Sequence, residues 1–424
     1  MQVVLGCEPN GFGPVSKLTA IARLLPGMER IFVGDAGAYE FARRNPDCFE
    51  QFYTVEEFHR RPDLMAASDF AMVVMEPDIT FELLQLGVPV HLFDSLIEFW
   101  ILPRGIAPLA DAARLILDGG PQARAVFQSF TIHERKLLAH MIATRSFAQN
   151  FPGVPERLEA LRQHGFGNTS LLGSIIDLPK PRPGAENPSK DDTWSMLINL
   201  GGVQNFAIRF HDNDYAIDLI ERWAEAFLRD MPQCRQITIC CGRYTAADSR
   251  AVGDGLLTRR FASRNEFIGL LGEADVVLSA AGRTTLHEAV HLRKPLILLP
   301  EQHHNQYCNL MSLKGIRLGR MAVALEDVID IGRLSHDDFE GTLQIIEATR
   351  RLLADEQAFA RFDRLLRERV VSFLAMSAAD RLAAVDEAAA CLAGSDFAAT
   401  VQSVGQAQVR ARGGPGVNLE LVDG

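Results

Sequence analysis

The sequence predicts an α/β protein of two domains, each a parallel β-sheet covered by helices. Three observations support this fold class. Short, continuously apolar runs alternate with helical stretches in the first half, as expected when strands are buried on both faces. The same alternation restarts in the second half, and a segment with four prolines from Pro179 to Pro188 separates the two. Because proline is excluded from helix interiors and central strands, this segment indicates an interdomain linker.

The apolar runs and helical stretches also place the individual elements. The predicted strands are Gln2–Gly6, Ile31–Gly34, Phe70–Met75, Val88–Phe93, Ser170–Ile176, Ser195–Leu200, Ile237–Cys241, Asp275–Ser279 and Pro295–Leu299. The predicted helices are Val15–Leu25, most of 107–161, Asp214–Met231, Thr284–Leu292, Tyr307–Lys314 and almost all of 341–393. These patterns give an N-terminal domain at 1–177, a linker at 178–193, a second domain at 194–375, a C-terminal helix at 376–393 and a flexible tail at 394–424.

Composition and charge exclude several classes of protein. The 424 residues carry a net charge of −11 and no run of five Lys or Arg, so a nucleic-acid partner is not expected. Seven cysteines, an odd number without a C-x-x-C pair, fit a reducing compartment. The chain does not open with a basic segment followed by an apolar one, and no stretch of about 18 apolar residues occurs. We therefore expect a cytoplasmic protein without a signal peptide or a membrane span.

The most informative stretch runs from Ser279 to Asn309. It reads as a strand, a turn at Gly282, a helix, a second strand that ends at Pro300, and a polar loop that enters another helix. A glycine turn before a helix lets an anion approach the backbone N–H groups at the helix N-terminus. Side chains suited to a nucleotide sugar follow: hydroxyls at Thr284 and Thr285, a carboxylate at Glu288, and amides on one helix face at Gln306 and Asn309.

This order of elements resembles the donor-binding region of GT-B glycosyltransferases, in particular the UDP-glucuronosyl, antibiotic and peptidoglycan GlcNAc transferases. The resemblance covers residues 275–319 and takes in Gly201 and Gly202, which follow the first strand of the second domain. It implies two Rossmann-like domains with a helical C-terminal region, and a UDP-sugar as donor. By this resemblance Glu288 holds the ribose, Thr284 and Thr285 the diphosphate, and Gln306 and Asn309, helped by His304, the sugar.

The sequence departs from the family pattern at two places. Arg283 stands where a small residue is common, and Arg293-Lys294 stands where a small residue usually precedes the proline of the second strand. Arg283 and Gly282 both stay among the predicted donor-binding residues.

The same helix carries a second motif, since His287 to His291 matches H-E-x-x-H, the zinc-binding helix of metalloproteases. The helix must end before Pro295, no third ligand follows at a zinc-protease spacing, and the donor pattern already uses Glu288. We therefore expect the two histidines to pack on the helix. The prediction is no metal and no cofactor, with the UDP-sugar acting as a co-substrate.

A glycine-rich loop from Cys7 to Lys17 separates the first strand from the first helix. In GT-B enzymes this loop faces the interdomain cleft and often places a catalytic histidine after its last glycine, a position that Pro14 occupies here. A plain βα turn is the alternative interpretation. Ligands of parallel sheets bind at the carboxyl ends of strands, where acidic residues follow several predicted strands: Glu8, Glu76, Asp78 and Asp94. We predict Glu8 and Asp94 as catalytic residues, and Gly11, Phe12, Gly13, Lys17 and Glu76 as acceptor-binding residues.

The opening from Val4 to Leu18 is also similar to cytosylglucuronate synthase and its relatives in nucleoside-antibiotic pathways, which join UDP-glucuronic acid to cytosine. That resemblance implies inverting transfer to a pyrimidine nitrogen, which is more acidic than a sugar hydroxyl and does not require a histidine base. One carboxylate of the N-terminal domain would orient or deprotonate the acceptor. Arg283 or Lys17 would pair with the glucuronate carboxylate.

Two other interpretations stay open. A UDP-sugar hydrolase or 2-epimerase can use the same two-domain frame, and a hydrolase would release sugar and UDP without an acceptor. A non-catalytic subunit would bind the sugar nucleotide and activate a partner transferase. For a transferase the expected partners are a small-molecule donor and acceptor, and the oligomeric state, a homodimer included, is left open.

Overall fold

The computed structural model describes residues 1–9, 11–178, 193–202, 215–242 and 247–411. The predicted linker, 178–193, lies almost entirely outside these residues. The chain forms two compact units. The first contains the described residues up to 178, apart from Gly11–Gly13, and those from Cys391 onward. The second contains Gly11–Gly13 and the described residues from 193 to Ala390.

The first unit is built on a seven-stranded sheet in which every neighbouring pair is parallel. The spatial order is β3-β2-β1-β4-β5-β6-β7, so the order reverses at β1, which has β2 on one side and β4 on the other. The central strands are buried on both faces, which explains their continuously apolar sequences. The strands are β1 (Gln2–Cys7), β2 (Glu29–Val33), β3 (Gln51–Tyr53), β4 (Phe70–Val74), β5 (Val90–Asp94), β6 (Arg145–Gln149) and β7 (Thr169–Leu172).

Helices connect these strands, as parallel pairing requires. Two of them begin with a capping box, in which Thr54 pairs with Glu57 and Thr131 pairs with Glu134. The helices are α1 (Gly13–Arg23), α2 (Ala36–Arg43), α3 (Val55–His59), α4 (Pro62–Ala67), α5 (Pro77–Gln85), α6 (Ile106–Leu117), α7 (Ala123–Gln128), α8 (Ile132–Ile142) and α9 (Val154–Gln163), with a 3₁₀ turn at Pro46–Cys48.

The second unit has a six-stranded sheet in the order β10-β11-β9-β8-β12-β13. All its pairs are parallel except the antiparallel hairpin of β10 and β11. This order reverses at β8, which lies between β9 and β12. The strands are β8 (Trp194–Gly201), β9 (Cys234–Cys241), β10 (Asp248–Val252), β11 (Gly255–Arg260), β12 (Val276–Ser279) and β13 (Ile297–Leu298).

The helices of the second unit close its core around Trp223, Phe227 and Phe362, all fully buried. A π-helical segment, Tyr215–Glu221, precedes the first of them, and a 3₁₀ turn covers Leu325–Asp327. The helices are α10 (Arg222–Asp230), α11 (Arg264–Glu273), α12 (Arg283–His291), α13 (His304–Leu313), α14 (Arg317–Arg320), α15 (Asp338–Ala354), α16 (Glu356–Ala375) and α17 (Ala378–Cys391).

The predicted fold class is confirmed: both units are Rossmann-like α/β layers, and the C-terminal region is helical. The mostly helical prediction for 107–161 was wrong at β6, whose five residues are inserted between two helices. The sequence also gave no prediction of β3 or of the β10–β11 hairpin. No helix in the described ranges has both the length and the apolar character needed to cross a bilayer.

The prediction of a flexible tail at 394–424 was wrong for its first half, because α18 (Phe397–Ala411) is a packed helix. Its buried residues, Phe397, Val401 and Val404, recur at helical spacing, although the segment is rich in Gly, Ala and Gln. The ring of Phe397 meets that of Phe93 edge-on at 6.5 Å, so α18 covers the first sheet. Residues 412–424 lie outside the described part of the chain.

We expect Phe397→Ala to destabilise the protein by about 3–5 kcal/mol, because it removes a buried aromatic ring and leaves a cavity beside Phe93. Ser403→Ala, at an exposed position of α18, is the control and should leave stability nearly unchanged. Urea unfolding followed by circular dichroism measures both variants. Equal unfolding midpoints for wild type and Phe397→Ala would contradict the packed helix.

Candidate functional site

In the first unit, two predicted acidic residues lie where the strand order reverses. Glu8 follows β1 and Glu76 follows β4, two neighbouring strands that pair through Cys7 and Val74. In open parallel sheets, ligands bind outside the carboxyl ends of the strands at such a reversal, because the connecting loops diverge there. The topology therefore brings Glu8 and Glu76 together at the position where a ligand site is expected.

The backbone before Glu76 is strained. Met75 has φ +59°, a left-handed conformation that is unfavourable for a residue with a side chain. Its N–H donates to the Phe93 carbonyl at 3.0 Å, and its sulfur accepts a hydrogen bond from the Ser95 hydroxyl at 3.4 Å. Such a conformation costs about 1–3 kcal/mol and persists only where the surroundings enforce it, often at functional sites. The left-handed conformation of Met75 sets the direction in which the backbone leaves β4, and so the position of Glu76.

A buried lysine compensates the charge of Glu8. The Lys136 ammonium, on α8, lies 2.6 Å from Glu8 Oε1, and only 5% of the lysine side chain is exposed. The same ammonium sits 4.0 Å from the centre of the Trp100 ring, a cation–π contact. Sequence reasoning missed Lys136 because it lies 128 residues from Glu8 in the chain.

Glu76 itself begins α5. One carboxylate oxygen accepts a hydrogen bond from the Asp78 N–H at 3.3 Å, and Asp78 is in turn paired with Arg135 at 3.0 Å. Burial, together with the negative charge of Glu8, raises the pKa of Glu76 to about 7, although Lys136 acts in the opposite direction. Glu76 therefore exchanges a proton near neutral pH, unlike an ordinary glutamate.

Asp94, the second predicted catalytic carboxylate, has a different environment. It is 1% exposed, and its oxygens accept hydrogen bonds from Trp100 Nε1 and the Leu96 N–H, both at 2.6 Å. His140 Nε2 lies 2.9 Å away, and the chain of contacts continues to Ser146. Burial alone would raise the pKa of Asp94, but these partners, His140 first, lower it below its usual value. With both oxygens occupied, Asp94 positions Trp100 and His140, whereas a general base needs an open oxygen.

In the second unit, the predicted donor residues gather at the reversal of the sheet at β8. Gly201 adopts φ +70°, a conformation that glycine tolerates, and its N–H donates to Asn199 Oδ1 at 3.2 Å. The Asn199 amide donates to the Thr285 hydroxyl at 2.7 Å. This contact ties the end of β8 to the first turn of α12, which begins after Gly282. The N-terminus of α12 thus faces the same edge as the glycine pair.

Glu288 forms a buried ion pair that the sequence did not predict. The Arg264 guanidinium, in the first turn of α11, lies 2.7 Å from Glu288 Oε1, and the two side chains are 2% and 3% exposed. A capping box of Ser263 and Glu266 fixes the start of α11 and so places Arg264. The S-x-x-E spacing was a visible helix-start signal, but it did not indicate which residue the arginine would meet.

The predicted sugar-binding amides connect loops around α13. Asn309 donates to the Ala281 carbonyl at 2.8 Å and accepts from Arg283 Nε at 2.9 Å, so the arginine that departs from the family pattern is the partner of this amide. Gln306 Oε1 accepts from the Gln302 N–H at 2.9 Å. The backbone N–H of His304 donates to the Thr342 hydroxyl at 3.2 Å. The structure thus brings the predicted donor residues together. Asn309, Gln306 and His304 each also form a hydrogen bond within the protein.

The family comparison falls on this region. A model described as glycosyl transferase family 1 matches residues 224–336, which include α12, β13 and α13. This stretch, about a quarter of the chain, is therefore similar to glycosyl transferase family 1. The predicted class, a glycosyltransferase enzyme, is thereby confirmed. No curated protein sequence matches the chain significantly.

Solved structures resemble the glycosyltransferase chain only loosely. The glycotransferase of kitacinnamycin shares 15% identity at TM-score 0.45, over 92% of this chain and 99% of its own. A UDP-glucosyltransferase from Polygonum tinctorium that glucosylates indoxyl shares 14% at TM-score 0.45, over 92% and 98%. Phytolacca americana UGT2, complexed with UDP-2fluoro-glucose and pterostilbene, shares 13% at TM-score 0.45, over 92% and 99%. Because these scores are below 0.5, the assignment rests on the family match.

The structure also places the remaining predicted residues of the glycosyltransferase, which are the acceptor-binding residues of the glycine-rich loop and α1 and the residues of the H-E-x-x-H motif. Gly11–Gly13 belongs to the second unit, where the Phe12 ring stacks on Phe261 with centroids 4.7 Å apart. Lys17 is buried within α1. On α12, His287 is buried, and the glutamate of the H-E-x-x-H motif is the one paired with Arg264. In the described ranges, no three His, Cys, Asp or Glu residues converge as a metal site.

Glu288→Ala should destabilise the glycosyltransferase by about 3–5 kcal/mol, because it removes the carboxylate that lies 2.7 Å from the buried Arg264 guanidinium. Replacing both residues by apolar ones, Arg264→Met with Glu288→Leu, should recover most of that stability, since the buried charge of Arg264 is removed together with that of Glu288. Urea unfolding of the single and double variants measures the difference. A double variant that is less stable than Glu288→Ala would contradict the importance of the ion pair.

Proposed function

We propose that the protein transfers a sugar, with inversion, from a UDP-sugar bound by the second unit to a small acceptor bound by the first. The single observation that carries this proposal is the family match over residues 224–336, which contain the glycine turn, the α12 N-terminus and Glu288. The acceptor is assigned to the first unit because its sheet has its own reversal, with titratable carboxyls at the strand ends.

The diphosphate would bind at the N-terminus of α12. The turn at Gly282 gives an anion access to the first backbone N–H groups, and the helix dipole favours negative charge there. Thr284, which is partly exposed in the first turn, would add a hydroxyl donor. These groups would stabilise the charge that develops on the leaving diphosphate without an obligatory metal ion.

The ribose would bind Glu288. Arg264 balances the charge of this carboxylate, which lets it remain buried and accept hydrogen bonds from two neighbouring ribose hydroxyls. The sugar would lie against α13. Gln306 already uses its oxygen on the backbone of Gln302, so its NH₂ group would donate to a sugar hydroxyl, beside His304 and Asn309.

For the finer identity of the substrates, we propose glucuronic acid as the sugar and cytosine as the acceptor. Arg283, or Lys17 in the first unit, would supply the cation for the glucuronate carboxylate. A pyrimidine N–H is acidic enough to be activated by a carboxylate. The residues that directly follow β1 and β4 include the carboxylates Glu8 and Glu76 but no histidine. The acceptor site would therefore be small and polar, formed where the strand order reverses.

Donor binding is tested with Glu288→Gln, which keeps the size of the side chain but removes its charge. We expect the affinity for UDP to fall at least about tenfold, because hydrogen bonds to a charged group contribute about 1.5–3 kcal/mol. Titration calorimetry with UDP measures the change. Glu273→Gln, at an exposed position of α11, is the matched control. An unchanged UDP affinity in Glu288→Gln would refute the donor site.

The substrates are tested by incubating the purified protein with UDP-glucuronic acid and either cytosine or a panel of alcohols, with and without EDTA. We expect a new N-glycoside of cytosine, detected by mass, and no loss of activity in EDTA. Glycosides of alcohols without any heterocycle product would refute cytosine and leave the transferase proposal intact. Release of glucuronic acid and UDP without any acceptor would favour a hydrolase.

A further inference from the structure

Among the carboxyls at the ends of β1, β4 and β5, Glu76 differs in its partners. Glu8 is paired with Lys136, and Asp94 is enclosed by hydrogen-bond donors. Glu76 has one oxygen fixed by the Asp78 N–H. Within the described ranges, its other oxygen accepts no hydrogen bond, and no cation forms an ion pair with it. Glu76 is therefore anchored but keeps one oxygen for another molecule.

The charges that face Glu76 come from three elements. Glu8 and the Cys7 thiol lie at the end of β1, Lys136 lies on α8, and Asp78 lies on the helix that Glu76 begins. The Asp78 charge is compensated by Arg135, also on α8. Two carboxylates that interact electrostatically, with one lysine paired to Glu8, leave one negative charge unbalanced, and a proton relieves it. This environment agrees with the pKa of Glu76, about 7, which is suited to proton transfer near neutral pH.

We propose that Glu76 is the general base that takes the proton of the acceptor, an inference that rests on the proposed glycosyl transfer. The acceptor nitrogen or oxygen forms the new bond to C1 of the sugar with its electron pair. The bond between C1 and the diphosphate oxygen breaks, and its electron pair leaves on UDP. The acceptor proton passes to the free oxygen of Glu76, which later releases it to water.

In this arrangement the ion pair of Glu8 and Lys136 positions the base and sets the pH at which it works. The charge of Glu8 favours protonated Glu76, whereas the charge of Lys136 favours the carboxylate. Glu8→Gln removes the repulsion and frees the lysine, so both effects lower the pH at which Glu76 ionises. Lys136→Met has the opposite effect. Since a base acts in its ionised form, the rising limb of the pH–rate profile should move down in the first variant and up in the second.

The test compares wild type with Glu76→Gln, Glu8→Gln, Lys136→Met and the control Glu82→Gln, which lies elsewhere on α5. Single-turnover transfer from UDP-glucuronic acid to cytosine, its pH profile, UDP affinity and circular dichroism are measured for each. We expect Glu76→Gln to lose about 10²–10⁴-fold in transfer rate with UDP affinity unchanged within twofold. The limb of the wild-type profile should lie near pH 7 and move in opposite directions in the Glu8 and Lys136 variants.

Transfer by Glu76→Gln within threefold of wild type would overturn the inference and leave the glycosyltransferase proposal standing. A rising limb of the pH–rate profile that stays at the wild-type pH in the Glu8→Gln and Lys136→Met variants would overturn it as well. This result does not depend on how well Glu76→Gln folds. Absence of both UDP binding and transfer in the wild type would instead overturn the proposed function and, with it, the role of Glu76.

Discussion

Parallel strand pairing is the constraint on which both candidate sites depend. All strands of a parallel sheet end at the same edge, so residues that follow different strands become neighbours regardless of their distance in the chain. Where the order reverses, at β1 and β4 in the first unit and at β8 and β12 in the second, the connections run to opposite sides and leave the strand ends open. Glu8 and Glu76 lie at the first reversal, and Gly201 and Gly282 lie at the second.

Each unit buries an ion pair beside its reversal, Glu8 with Lys136 and Glu288 with Arg264. Desolvating two charges offsets most of their attraction, so a buried ion pair is weak evidence for stability. Such a pair does orient a carboxylate through a short, charge-assisted hydrogen bond. Its position beside a reversal of the strand order is therefore better explained by the proposed binding or proton chemistry than by folding alone.

The sequence predicted the parts of the fold that depend on local pattern, and missed those that depend on distant contacts. Continuous apolar runs predicted the ends of the central strands to within three residues, the largest difference being the start of β9 at Cys234. β6 was missed because its sequence, Arg145–Gln149, is too short to stand out between helices. α18 was missed because its composition, rich in Gly, Ala and Gln, suggested a flexible tail, although its apolar residues recur at helical spacing. Lys136 and Arg264 could not be found, since nothing in a sequence indicates that a charge on one helix will meet a carboxylate on a distant element.

The position of Pro14 gains a physical meaning from the neighbouring strand. Many of the GT-B enzymes that the sequence resembles place a histidine after the glycine-rich loop that follows the first strand, and proline offers neither an imidazole nor a backbone donor there. The loop after β4 follows the strand that pairs with β1, and it carries Glu76, whose burial and whose proximity to the charge of Glu8 raise its pKa to about 7. The proposed base therefore follows the neighbouring strand, and its pKa is close to that of an ordinary histidine. In the proposed mechanism, general-base catalysis does not depend on a histidine after the first strand, because the sheet has a second strand end at the same edge.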